Sequence, residues 1–218
     1  MSDMDFPTGR TVVSGSSYDS ATVGNGAIVS AISGGVLSNV TVENGGMLYL
    51  NDQGVVGGGT VEAGGTLVLN SGGTVENVTF EAGGKTFSIA KGGVASGLIM
   101  NVEEDVYGLD SGTTVHEGVQ YTVEVGGSGV DTTLQDATAD VSGTAINATV
   151  IGGGANGGTE GSLTIHDGGV ASGTVVTNYG KLVVSSGGVA SGVTLETACR
   201  WIRREPLYRM SLLAVALP

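Results

Sequence analysis

From Ser38 onward, apolar and polar side chains alternate in short runs, and the runs return at a fixed interval. Ser38-Asn39-Val40-Thr41-Val42-Glu43 comes back as Gly57-Gly58-Gly59-Thr60-Val61-Glu62 and as Glu76-Asn77-Val78-Thr79-Phe80-Glu81, each 19 residues further on. Later copies are Ser96-Gly97-Leu98-Ile99-Met100, Ile146-Asn147-Ala148-Thr149-Val150, Ser172-Gly173-Thr174-Val175-Val176 and Ser191-Gly192-Val193-Thr194-Leu195. The pairs Val40 and Val42, Val78 and Phe80, Leu98 and Met100 give a period of two, the mark of a strand with one buried face. A Gly-Gly corner usually follows. A second alternating strand comes next, with Leu48 and Leu50, Leu67 and Leu69, Phe87 and Ile89, Leu163 and Ile165, and Leu182 and Val184. A further glycine-containing corner, as at Asn70 to Gly73, closes the repeat. Self-similarity at this period means that each copy is one coil of a stacked spiral. The predicted fold is all-β, a single-stranded parallel β-helix (β-solenoid) of about 19 residues per coil, right-handed by the general preference of parallel crossovers.

One column holds Asn39, Gly58, Asn77, Gly97, Gly118, Asn147, Gly173 and Gly192. Asn and Gly are the residues that tolerate positive φ, so the column reads as a left-handed turn at one corner of every coil. Eight coils are visible in this way, and the first thirty residues read as a degenerate ninth. The rhythm breaks twice, with 29 residues between Gly118 and Asn147 and 26 between Asn147 and Gly173. In the second gap Gly152-Gly153-Gly154-Ala155-Asn156-Gly157-Gly158 reads as an extra loop, most simply a spacer.

Composition narrows the field further. Glycine supplies 41 of 218 residues without a collagen triplet, and it serves corners. The clearest coils cover 33–100 and 142–196, within a repeat domain of 1–198. That domain is strongly acidic, with Arg10, Lys85, Lys91 and Lys181 as its basic residues, whereas the tail 199–218 carries Arg200, Arg203, Arg204 and Arg209. The tail also holds Cys199 and Trp201, and it reads as non-repeat: a capping segment, or the product of truncation or a shifted reading frame. Net charge of -13 argues against nucleic-acid partners and against adsorption to anionic membranes. The apolar run 212–217 is too short to span a bilayer. Met1 to Arg10 lacks the basic start and apolar stretch of a secretory signal.

No catalytic, cofactor-binding or metal-ligating set emerges. Enzymes built on parallel β-helices need clustered carboxylates, commonly with a cation for an acidic sugar, and His116 and His166 fall in different coils, each reading as an exposed polar residue. Glu43, Glu62 and Glu81 should line up about 4.8 Å apart; calcium could bridge them, but a solvated row is the simpler reading. Gly126 to Leu134 approximates a calcium-binding nonapeptide once, without the adjacent copies such sites need. Thr41, Thr60, Thr79, Thr149 and Thr194 form an outward column, which raises ice binding as an alternative and is explained more simply by β-propensity. The sequons headed by Asn39, Asn77 and Asn147 are turn residues first.

The copies from Ser33-Gly34-Gly35-Val36 to Gly45-Gly46, and from Ser71-Gly72-Gly73-Thr74 to Gly83-Gly84, resemble the imperfect repeats of autotransporter passenger domains of the AIDA adhesin type. The resemblance covers roughly 11–196. It implies a noncatalytic bacterial cell-surface or secreted stalk that acts in adhesion or autoaggregation, with no cofactor. Its implied partners are further copies of itself, or glycans or proteins of host or bacterial surfaces. It also implies a glycosyltransferase partner that modifies serine, with Ser71, Ser142, Ser172, Ser185, Ser186 and Ser191 as candidates. The carbohydrate-active β-helix enzyme, lyase or hydrolase, is the alternative from a different class, beside a cation- or ice-binding solenoid.

Overall fold

The computed structural model describes residues 4–6, 8–153, 160–196 and 199–203. It is an all-β parallel β-solenoid of about 10 turns, with coils about 19 residues apart. The chain forms two compact units, Met1–Glu104 with Gly108–Asp110, and Asp105–Tyr107 with Ser111–Pro218.

In the first unit the strands Val36–Val42, Val55–Val61 and Thr74–Phe80 lie parallel and in register, with Val36 beside Val55 and Val55 beside Thr74. The strands Ala27–Ile32, Met47–Leu50 and Thr66–Leu69 form a second parallel ladder. The apolar positions predicted to face inward do so: Val40, Val42, Leu48, Leu50, Val78 and Ile89 are all fully buried. The first thirty residues contribute more than one degenerate coil, because Met4–Phe6 pairs with Ala21–Val23 and Gly9–Ser14 pairs with Ala27–Ile32.

Each coil has a third side that the two-strand reading missed. The residues before the left-handed corner, Val36 to Ser38 and their equivalents, are also strand and send Leu37, Val56, Val75 and Ala95 into the core. In the second unit the same inward column holds Gly129, Ala145, Ala171 and Ala190. One inward side chain per short run leaves no alternation to detect, and small side chains weaken the signal again.

The second unit repeats the plan. Thr138–Val141 pairs with Gln120–Val123 and with Ser162–Ile165, which pairs with Lys181–Val184. Arg200–Arg203 pairs in parallel with Lys181–Val184, so the boundary expected at 198 falls inside a coil and the start of the predicted tail continues the ladder. Residues 204–218, and 154–159 within the predicted glycine loop, lie outside the described residues.

The left-handed column has a physical basis beyond tolerance of positive φ. Asn39, Asn77 and Asn147 have φ of 49°, 54° and 54°, and Gly58, Gly97, Gly173 and Gly192 are also positive. The Asn39 side-chain amide donates to Asp19 Oδ1 at 2.8 Å, and the Asn147 amide donates to Asp131 Oδ1 at 3.0 Å. The oxygen of the same side chain lies against the following corner: a Cβ at Gly97 would stand 2.5 Å from Asn77 Oδ1, and one at Gly173 would stand 2.5 Å from Asn147 Oδ1. An amide at one corner therefore favours glycine at the next, which accounts for their succession. Ser20 and Asp131 also occupy the column, each with φ of 53°.

Gly118 belongs to a different corner. Its amide donates to the Asp136 carbonyl, and it holds the place of Gly45 in the turn before the Gln120–Val123 strand. In that coil the left-handed position falls to Gly112, whose amide donates to Val130, the residue before Asp131. The 29-residue gap is thus an artefact of a mis-set marker, and a complete coil centred on Asp131 fills it.

Candidate functional site

Side-chain chemistry is distributed along ladders. Thr41 pairs with Thr60, and Thr60 with Thr79, while Thr133 pairs with Thr149. The backbone amides of Glu43, Glu62 and Glu81 donate to Val23, Val42 and Val61 in turn, which stacks the three corners in line. In an in-register stack a charged column repels itself at about 4.8 Å per rung. Glu43 and Glu81, the outer members of that row, are exposed, and Glu62 between them is half-buried.

The candidate serines differ in setting. Ser71 and Ser186 are exposed in turns, whereas Ser142, Ser172, Ser185 and Ser191 are half-buried. Ser172 and Ser191 are the last residues of the strands Val170–Ser172 and Val189–Ser191 and pair with each other, so they precede a corner instead of forming one.

The best-organised polar cluster lies on the outward face of the second unit. Thr138 Oγ1 donates to Gln120 Oε1 at 2.5 Å, Gln120 Nε2 donates to Asp140 Oδ2 at 3.1 Å, and Asp140 Oδ1 lies 2.8 Å from His166 Nε2. The His166 and Asp140 side chains are 44% and 45% exposed. Strand alternation creates the cluster, since Tyr121, Ala139, Val141, Leu163 and Ile165 point inward and their neighbours outward. Sequence reading left His166 as a lone exposed residue because the 26 positions separating it from Asp140 include the loop; subtracting that loop brings the two into adjacent coils. His116 is half-buried in the turn before the Gln120–Val123 strand.

Tyr107, Cys199 and Asp136 titrate away from their ordinary values. Glu124 beside Tyr107 raises its phenol, burial raises the Cys199 thiol, and burial with the nearby Glu117 carboxylate raises Asp136. Asp136 has φ of 55°, and its Oδ1 is buried. A carboxyl with a raised folded-state pKa contributes most below its unfolded pKa and loses that contribution as pH rises through the folded one. Asp136→Asn, which keeps the shape and suits left-handed backbone, is therefore expected to raise the melting temperature at neutral pH and leave it unchanged in acid. A variant no more stable at pH 7 than at pH 3 relative to the parent refutes this.

Among the described residues, no group of three or more His, Cys, Asp or Glu side chains could hold a metal ion, and no helix is long and apolar enough to cross a membrane. No family model matches the sequence, and no curated protein matches it. Among solved structures, the chain is similar to the crystal structure of a hyper-glycosylated TibA fragment whose glycosylation is catalysed by TibC. The TM-score is 0.66 at 22% identity, over 93% of this chain and 87% of that chain. At that identity the likeness is one of fold.

Proposed function

We propose that this chain is a noncatalytic segment of a bacterial surface stalk that acts in adhesion or autoaggregation. The observation that carries the reading is the fold likeness over 93% of the chain to a TibA fragment, which comes from an AIDA-type autotransporter adhesin. The distribution of side-chain chemistry along ladders supports it, because weak contacts repeated along a stack gain avidity without a dedicated pocket. Serine is the proposed site of sugar attachment, with the exposed Ser71 and Ser186 ahead of the half-buried Ser142, Ser172, Ser185 and Ser191. The proposed location is the cell surface or the medium, and the proposed partners are further copies, surface glycans or proteins, and a glycosyltransferase.

Two measurements test this. Protein from the native host should show intact-mass increments of hexose or heptose size that decrease in a Ser71→Ala, Ser186→Ala variant. Cells displaying the chain should sediment faster than cells without it. An unmodified mass together with unchanged sedimentation rejects the reading, and turnover of a polyuronide by the purified chain replaces it with the enzyme.

A further inference from the structure

We propose that the outward face of the ladder Gln120–Val123, Thr138–Val141, Ser162–Ile165 and Lys181–Val184 is a binding surface for an uncharged, extended oligosaccharide that runs along the stack. Four parallel strands in unbroken register build the face, so its side chains stand in straight columns. Gln120, Thr138 and Lys181 share one column through Ser162, and Asp140 belongs to the next.

The face differs from the others in what it offers. The ladder Ser128–Val130, Thr144–Ile146, Val170–Ser172 and Val189–Ser191 presents hydroxyl and aliphatic groups outward without a charge. Here a carboxylate, an amide, an imidazole, an ammonium and hydroxyls stand together, which are the mixed donors and acceptors that sugar hydroxyls pair with. Asp140 is held on both oxygens, by Gln120 and by His166, so its orientation is set before a ligand arrives. At the corner leading into Lys181, Tyr179 is 43% exposed with φ of 66°. An exposed ring at the edge of a polar array supplies the flat apolar surface on which the C–H face of a pyranose can rest.

Two further points select the ligand. Rungs recur about every 4.8 Å, close to the length of one sugar in an extended β-linked chain, so a short chain laid along the stack stays nearly in step with the rungs. The chain is acidic, with a formal charge of -13, which disfavours anionic glycans, although Arg200 follows Lys181 in the same column. The ligand would lie on the outside of a sheet and not in a pocket, so single-chain affinity should be weak. Repetition on a cell surface would amplify it.

The site is independent of how the chain reaches a surface, and its test uses the full purified chain. Titration with cellotetraose, followed by NMR shifts or calorimetry, should show saturable binding at millimolar sugar. Tyr179→Ala and Asp140→Asn should each weaken it about tenfold, and trigalacturonate should bind less well. Tyr179 lies outside the Thr138–Gln120–Asp140–His166 network, so its variant should keep the parent melting temperature. No binding of cellotetraose, equal or tighter binding of trigalacturonate, or full binding by Tyr179→Ala overturns the proposal. Cleavage of bound cellotetraose would uphold the site while rejecting the noncatalytic adhesin, so the two readings fail separately.

Discussion

Gly46→Ala is expected to remove about 3 kcal/mol or more of stability, enough to leave much of the first unit unfolded at ambient temperature. In the pair Gly45-Gly46 the two glycines are needed for different reasons. Gly45 has φ of 80°, which makes it a turn glycine, and a Cβ there would press only on the side-chain end of Asn25, which can swing aside. Gly46 is buried, and no positive φ constrains it. A Cβ there would lie far inside contact with the Val23 carbonyl oxygen and 3.1 Å from the Gly24 oxygen, both backbone atoms of the neighbouring coil. Those atoms cannot swing aside, because Val23 O accepts the Glu43 amide at 3.0 Å. The added methyl must separate two coils or break that bond. Gly57→Ala is the control, since its Cβ would meet nothing within 4 Å and the position lies in a strand; it should be neutral or gain about 0.5 kcal/mol through loss of unfolded-state freedom. Urea denaturation followed by circular dichroism in the strand band compares the two. Equal stabilities for both variants would remove backbone contact as the reason for glycine at Gly46.

That contrast explains which parts of the fold could be read beforehand. Alternation at Val40 and Val42 or at Leu48 and Leu50 was legible because burial forces large apolar side chains into a period of two. The Asn and Gly column was legible because few residues accept φ near 50°. Its extension through Ser20, Gly112 and Asp131 was not, because serine and aspartate reach that region less often and the coils there are short. Spacings of 15 from Gly97 to Gly112 and 16 from Asp131 to Asn147 defeat a fixed period, and Gly118, another turn glycine, took the vacant place. The sugar-binding face was illegible for a related reason: Gln120, Asp140 and His166 become neighbours only after the lengths of three unequal coils are known. The column from Thr138 to Lys181 carries no motif, since register and not spacing brings it together.

Unequal coils also have to be filled, and Phe87 is where the cost of failing should be largest among core side chains. Glu62-Ala63-Gly64-Gly65-Thr66-Leu67 is matched by Glu81-Ala82-Gly83-Gly84-Lys85-Thr86-Phe87, in which Lys85 is one residue extra. The insertion loosens the ladder, so that Ile89 still pairs with Leu69 while the Phe87 amide donates to Glu103 at 2.8 Å. A groove opens at this point, lined by Val61, Leu67, Phe80 and Val102. Phe87 is 1% exposed, and its ring centroid lies 4.5 Å from that of Phe80 with the planes tilted by 36°. The aromatic pair thus fills the width that Val61 and Leu67 fill one coil earlier. Phe87→Ala is expected to cost about 3–5 kcal/mol, and Phe87→Leu about 1–2 kcal/mol because leucine suits an ordinary coil and under-fills this one. Deleting Lys85 restores the 19-residue interval between Leu67 and its equivalent Phe87, and in that background Phe87→Leu should cost almost nothing. A Phe87→Leu penalty of the same size with and without Lys85 would mean that the aromatic pair answers some demand other than the width of the lengthened coil.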